Sequence, residues 1–257
     1  RGMAGAAYLS AKAAYTSGAG LVQIYTEESN RAILQQLLPE AIISVYEEYD
    51  QEQLTSLLRW ADVVCIGCGL GQNRTSESLL KGTLLGCRVP CVVDADGINL
   101  LACHPELLKE MGYPLILTPH MKEMSGLLGC SVAELRQSRM SRLRAFIQTC
   151  PAVCVLKDSC TIVAQRGKQD FVNTAGNHGM AKAGSGDVLA GVITGLLAGG
   201  LDAYDSAVLG VYLHACGGDA ARERLGSYSL LAEDLIGGIR ECLKEAEGNS
   251  RRQRITE

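Results

Sequence analysis

The chain of 257 residues carries a net charge of −4 with acids and bases interspersed, which excludes the basic footprint of a nucleic-acid binder or a reader of anionic membranes. It has neither a leading signal-peptide pattern nor a run of the roughly 18 apolar residues that a membrane helix needs, so small molecules are the expected partners. High aliphatic content, 29 glycines and few aromatics suit one α/β domain with many close backbone approaches.

The chain opens Arg1-Gly2-Met3 and at once enters a helical pattern over residues 4–16, which predicts that a first strand of the intact domain precedes it. Gly18-Ala19-Gly20 breaks this helix before a strand over 21–25. Helices are then expected near 31–38, 51–60 and 75–86, alternating with strands over 42–46, 63–67 and 91–94. Such alternation predicts a mostly parallel sheet covered by helices. A short buried strand over 115–117 follows, and Ser131-Val132-Ala133-Glu134 reads as a capping box opening a helix to about Thr149. Three short strands, 153–156, 161–164 and 171–173, predict an antiparallel extension of the sheet. Helices over 188–198, 205–222 and 230–245 complete one domain spanning residues 1–247, and the polar tail 248–257 is expected to fray.

Eleven cysteines lie mostly within apolar runs such as Val63-Val64-Cys65-Ile66, where they read as reduced, small hydrophobes of a cytoplasmic protein. Cys65 and Cys68 have Cys-x-x-Cys spacing, but no second pair completes a zinc module.

The strongest chemical signal is the segment from Asn177 through His178, Gly179, Met180, Ala181, Lys182, Ala183, Gly184, Ser185 and Gly186 to Asp187, followed by an apolar helix with Gly191 and Gly195. Glycines admit a ligand close to the backbone, and the free N–H groups of a helix's first turn favour an anion. Asp187 reads either as a helix N-cap or as a carboxylate placed to take a proton from a substrate hydroxyl beside a phosphate. Gly67-Cys68-Gly69-Leu70-Gly71 follows a strand as in dinucleotide folds, but without their Gly-x-Gly-x-x-Gly spacing, and reads equally as a tight turn. Asp94 and Asp96 follow the next strand, where paired acids suit Mg2+ held through water; Asp96 is also a candidate cap for a helix near Ile98. His120 and Glu123 share a helical turn after another strand, His104 before Pro105 reads as a surface turn, and Lys157-Asp158-Ser159-Cys160-Thr161 reads as a polar hairpin or a nucleotide-contacting loop.

With these residues in view, the chain resembles the ADP/ATP-dependent NAD(P)H-hydrate dehydratases of the ribokinase-like superfamily. The resemblance is carried by Gly5-Ala6-Ala7-Tyr8-Leu9-Ser10-Ala11, Gly67-x-Gly69-Leu70-Gly71, Asp94-Ala95-Asp96-x-x-Asn99, Leu117-Thr118-Pro119-His120, Leu156-Lys157 and the segment Gly176 to Leu189, in family order. It implies a three-layer α/β/α fold and the repair of NADH and NADPH hydrated at C6 of the nicotinamide ring. The nucleotide spent is ADP, typical of bacteria, or ATP, typical of eukaryotes. It further implies that Asn177 to Gly186 and Lys157 to Thr161 hold the nucleotide, while Ala6, Gly69, His120 and Asp187 face the hydrate. Gly71, Asp94, Asn99 and Glu123 are secondary candidates. The implied companions are Mg2+, an NAD(P)HX epimerase domain or partner, and further copies of the chain in a homo-oligomer, a tetramer in the first instance. His178 and Lys182-Ala183 depart from the family's usual proline and threonine-glycine, so Lys182 reads as a phosphate contact or as a solvent-facing lysine. Two other readings use the same glycine turn: a ribokinase-like kinase for a vitamin-precursor alcohol, and a nucleotide-binding regulator without catalysis.

Overall fold

A computed structural model of the chain describes residues 2–109 and 111–256, with side chains through 248. The first part runs α1 (Ala4–Thr16), β1 (Gln23–Glu27), α2 (Arg31–Leu37), β2 (Ile42–Tyr46), α3 (Gln51–Trp60), β3 (Val64–Ile66) and α4 (Arg74–Gly86). Next come β4 (Cys91–Val93), α5 (Asp96–Cys103), β5 (Leu115–Leu117), α6 (Met121–Leu128), α7 (Val132–Gln137), α8 (Arg139–Thr149) and β6 (Val153–Leu156). The chain closes with β7 (Ile162–Ala164), β8 (Phe171–Val172), α9 (Ser185–Ala198), α10 (Ala203–Leu225) and α11 (Ala232–Thr256).

Strands β3 to β8 form a sheet in sequential order, parallel through β6 and antiparallel at β7 and β8, as the alternation and the final meander predict. Side chains alternate across it with period two. Cys91 and Val93 face Leu80, Leu84, Ile98 and Leu101 of α4 and α5, whereas Val92 faces Leu189, Ala190 and Ile193 of α9. Three layers follow: helices α4 to α8, the sheet, then α9 and α10. Strands β1 and β2 form a separate parallel pair because they close a core of their own, in which Ile24 packs with Tyr8, Ala11, Leu34 and Leu38.

Helix α9 is the hinge-pin of the site. A methyl carbon at Gly191 would lie 2.1 Å from the carbonyl oxygen of Ser10, and one at Gly195 would lie 2.5 Å from that of Ala14. Backbone therefore meets backbone between α1 and α9, and α9 cannot slide without moving α1.

Several boundaries differ from the sequence expectation. Strand β1 begins two residues late, with Leu21 exposed, and β8 is only two residues long. Ser131 forms its capping box with Glu134, but the helix expected to reach Thr149 unbroken is interrupted at Ser138. The Ser138 hydroxyl donates to the Glu134 carbonyl and accepts from Arg142 Nε, competing with the helical backbone. Helix α9 starts three residues early, α10 extends from an Asp202 cap to Leu225, and α11 runs through most of the tail expected to fray. Among the described residues no helix is long and apolar enough to cross a membrane.

Candidate active site

Four neighbouring strands deliver one polar group each to a common corner at their carboxyl ends, where open α/β sheets place ligands. Gly67 follows β3 with φ +121°, and a side chain there would put its first carbon 1.8 Å from the Asp94 carbonyl oxygen, so the turns after β3 and β4 interlock. Beyond Asp94 the backbone passes through Ala95 at φ 49°, ψ −120°. It is the sole non-glycine residue at positive φ among those described, a strain of about 1–3 kcal/mol stored beside the site. The buried Asp94 carboxylate accepts from Thr118 Oγ1 at 2.7 Å after β5 and from Lys157 Nζ at 2.6 Å after β6. Cys68 Sγ, after β3, lies 3.8 Å from the other carboxylate oxygen.

Burial alone would pull the Lys157 ammonium down, but the charges of Asp94 and Glu123 outweigh it and hold Lys157 above its ordinary value. Glu123 is buried and shifted upward by desolvation, against the opposing pull of Lys157. His120 caps α6: its Nδ1 accepts from Glu123 N at 3.0 Å and its own N–H donates to Glu123 Oε2 at 2.8 Å. Its backbone pairs with Lys157 in an isolated parallel bridge, which places the half-exposed imidazole at the same rim.

Across the corner, Gly184 at φ +90° is the N-cap of α9, and Asp187 is the third helical residue with no capping bond of its own. The cap reading of Asp187 is therefore replaced by a half-buried carboxylate beside Cys68 and Asp94. Ser185 and Val188 N–H groups find backbone acceptors, whereas those of Gly186 and Asp187 find none among the described residues. These two donors stand at the positive end of the helix dipole. A methyl carbon at Gly186 would lie 3.2 Å from Lys157 Nζ and 3.8 Å from Asp94 Oδ2, so the glycine turn abuts the Asp94–Lys157 pair. Side-chain ligand atoms of Cys68, Asp94 and Asp187 lie within 4.8 Å of one another. Burial, and after it the negative charge of Asp94, pushes the Asp187 carboxyl above its ordinary value. Beneath the turn, buried His214 holds Nε2 3.4 Å from Ser185 Oγ, and desolvation pulls this histidine down to about 4, so it is neutral.

The loop before α9 is pinned from behind by α10. Asn177 Nδ2 donates to the Gly218 carbonyl and to Asp219 Oδ1, both at 2.9 Å, while Asp219 Oδ2 accepts from Gly176 N. Asn177 Oδ1 caps the single 3-10 turn His178–Met180 through Gly179 N. Ala181 and Ala183 flank Lys182, whose Nζ donates to the Tyr228 carbonyl at 3.1 Å and so spans to the segment between α10 and α11. In the β6–β7 turn Asp158 pairs with Arg139, Ser159 N donates to Asp158 Oδ1, Thr161 Oγ1 donates to the Asp158 carbonyl and Cys160 is partly buried. No hydrogen bond among the described residues joins 158–161 to 177–186, and Lys157 beside Gly186 is what brings the two together.

On the other flank, Gly69 at φ +69° approaches α1 so closely that its methyl carbon would lie 3.1 Å from Ala6 Cβ. The expected cap role of Asp96 is corrected: α5 starts at Asp96 itself, and its carboxylate accepts from Gly71 N at 2.9 Å and Gln72 Nε2 at 2.8 Å, fastening the glycine turn. Asn99 lies one turn into α5, and no hydrogen bond among the described residues ties its side chain to the corner. His104 ends α5 between Glu77 and Glu106. Sequence reasoning missed Asp219 and His214, both inside the long helix α10, and left Cys68 unassigned.

The layering, the strand order and a glycine turn opening a buried helix beside strand-end acids define a ribokinase-like α/β enzyme. A solved Bacillus subtilis ADP/ATP-dependent NAD(P)H-hydrate dehydratase, co-crystallised with ATP/Mg2+ and soaked with CoA, is similar at TM-score 0.81 and 27% identity, over 95% of this chain and 87% of that one. The family model for NAD(P)H-hydrate dehydratase matches residues 1–240, and the chain belongs to that family. It is 39% identical to the bifunctional NAD(P)H-hydrate repair enzyme Nnr of Escherichia coli K12 over 91% of this chain and 44% of that protein. It is also 36% identical to the ADP-dependent (S)-NAD(P)H-hydrate dehydratase of Neisseria meningitidis serogroup B over 93% of this chain and 80% of that protein. The chain thus spans about half the length of the bifunctional relatives it matches.

Proposed function

We propose that the chain catalyses ADP- or ATP-dependent dehydration of (6S)-NADHX and (6S)-NADPHX to NADH and NADPH. The observation that carries the reading is Asp187: a partly buried carboxylate of raised proton affinity, beside two unpaired N–H donors and the Lys157 ammonium. A hydroxyl leaves a saturated ring poorly as hydroxide. Asp187 takes the proton of the C6 hydroxyl, whose oxygen attacks the terminal phosphoryl group held over the start of α9. The bridging P–O bond breaks and releases AMP from ADP, or ADP from ATP. The ring nitrogen lone pair then expels phosphate from C6, and loss of a C5 proton restores the double bond. Lys157 and the α9 donors meet the charge on the transferring group, while Ala6, Gly69 and His120 line the hydrate side. The nucleotide side comprises Asn177 to Gly186 with the turn from Asp158 to Thr161.

A thiol and a carboxylate already paired with Lys157 are poor partners for Mg2+, a hard cation that keeps water and substrate oxygens. Mg2+ therefore enters this reading as part of the nucleotide, on its phosphates, and Asp187 is the one carboxylate of that group with no ion pair. The same reading places the protein in the cytoplasm as a homo-oligomer, working with an epimerase domain or partner.

The test is to incubate the chain with NADH hydrate and ADP or ATP in Mg2+ and follow recovery of NADH absorbance. Recovery with release of phosphate supports the reading. No recovery with either nucleotide refutes it, and a stable phosphorylated alcohol product would show a kinase instead.

A further inference from the structure

Asp219 is a half-buried carboxylate of α10 behind the loop that leads into α9, and the proposed chemistry gives it no task. Both its oxygens are spent on that loop: Oδ1 accepts from Asn177 Nδ2 and Oδ2 from Gly176 N, each at 2.9 Å. An ionised carboxylate offers acceptors alone and so meets two donors at once, whereas an amide of the same shape must turn an N–H toward one of them. Asn177 relays the hold, for its Oδ1 accepts from Gly179 N at 3.0 Å and its Nδ2 also reaches the Gly218 carbonyl. Packing agrees with the bonds. Gly176 takes φ +98°, where a methyl carbon would lie 3.4 Å from Ala215 Cβ, and one at Gly218 would lie 2.2 Å from Met180 Sδ, so the loop lies directly on α10. At the far end of the loop, His214 of the same helix holds Nε2 3.4 Å from Ser185 Oγ. Between these anchors Ala181, Lys182 and Ala183 are exposed, so α10 sets the course of the loop at its two ends.

We propose that Asp219 is a positioning residue for the nucleotide, setting its affinity through Gly176 and Asn177 by fixing where the loop presents its backbone to the ligand. The proposal rests on the reading that residues 177–186 hold the nucleotide. Charge and position make opposite demands here. A negative charge behind a phosphate site repels the phosphate, so if charge were what mattered, removing it would tighten binding. Asp219→Asn keeps the shape of the side chain, removes the charge and turns one acceptor into a donor that faces Gly176 N or Asn177 Nδ2. If position is what matters, the same change loosens the loop and weakens binding. The sign of the effect therefore separates the two.

The experiment compares the full chain with Asp219→Asn and with Glu223→Gln, which removes an exposed charge one turn further along α10. Amide hydrogen exchange at Gly176 and Gly179 should quicken in Asp219→Asn and stay unchanged in Glu223→Gln. In calorimetry with ADP or ATP and Mg2+, the Kd of Asp219→Asn should rise by about tenfold to 100-fold. In the NADH-recovery assay the nucleotide KM should rise with it, while the hydrate KM and kcat at saturating nucleotide stay within about threefold. Nucleotide that binds Asp219→Asn as tightly as the parent, or more tightly, overturns the proposal. So does a rise of both KM values together or a kcat that falls as far as the affinity, which would mark a general loss of structure. A parent chain that binds neither nucleotide overturns the proposed function instead, and exchange at Gly176 and Gly179 still decides whether Asp219 holds the loop.

Discussion

Replacing Gly191 by alanine tests whether the α1–α9 contact positions the catalytic corner. The added methyl would sit 2.1 Å from the Ser10 carbonyl oxygen and 2.8 Å from Ala13 Cβ. An ordinary carbon–oxygen contact is about 3.3–3.6 Å, so the helices must part by more than about 1 Å. Overpacking of this kind costs about 1–3 kcal/mol, and the better helix propensity of alanine returns up to about 1. The net loss of roughly 1–2 kcal/mol should lower Tm by a few degrees in a chain of this size. Turnover should suffer more, because a shift of about 1 Å at the start of α9 carries Asp187 and its neighbouring donors with it and can cost about 100-fold. The matched stability control is Gly5→Ala on α1, where a methyl meets nothing within 4 Å and should stabilise by about 0.5–1 kcal/mol. Thermal unfolding and the NADH-recovery rate, measured well below Tm, report both effects. A Gly191→Ala protein that melts no lower than the parent and turns over at the parental rate would refute the packing argument.

Asp187→Asn should bind nucleotide in calorimetry yet lose roughly two to four orders of magnitude in turnover; a rate within threefold of the parent would return Asp187 to a structural role. Because burial raises the Asp187 carboxyl above 3.8 and the protonated form cannot act as base, kcat/KM should fall as pH drops through that raised value. A pH–rate profile checks this acid limb, which should vanish in the Asn variant. Lys157→Met strands the buried Asp94 charge and should destabilise by about 3–5 kcal/mol in urea unfolding; Asp94→Leu added to it should recover part of that loss, and purely additive effects would deny the pairing. His214, ordinarily near 6.5, is held down to about 4, so the unfolded chain binds its proton first and stability is lost as pH falls below 6.5. Between pH 6.5 and 5 the loss should be roughly 1.5 kcal/mol, and His214→Gln should remove that share of the urea-midpoint shift.

Helix and strand periodicity made the order of the elements legible, and with it the parallel sheet and its antiparallel edge. It could not show that β1 and β2 stand apart, since that depends on which core closes over Ile24 and Leu34. Ser138 likewise carries no Gly or Pro signal, and its interruption of a helix arises from side-chain bonds made only after folding. At the site, Asp187 was legible because glycines surround it, and Asp94 because it follows a strand. Lys157 was placed with the nucleotide loop, but its partner Asp94 lies 63 residues away, a pairing that only the adjacent strand ends create. Asp219 and His214 sit within the regular pattern of α10, where an inward polar residue looks like any other helical position.

The corner gathers Asp94, Asp96, Glu123 and Asp187 around a single ammonium, Lys157, and is therefore rich in negative charge before any phosphate arrives. Phosphate brought to α9 adds to the field that already favours a proton on Asp187. By thermodynamic reciprocity, a proton on Asp187 must then favour phosphate to the same degree. On the proposed function, nucleotide affinity and basicity thus pull against each other, and the pH of tightest nucleotide binding should lie below the pH of fastest turnover. Calorimetry in two buffers of different ionisation enthalpy would register the coupling as proton uptake, and equal heats in both would show that the two events are independent.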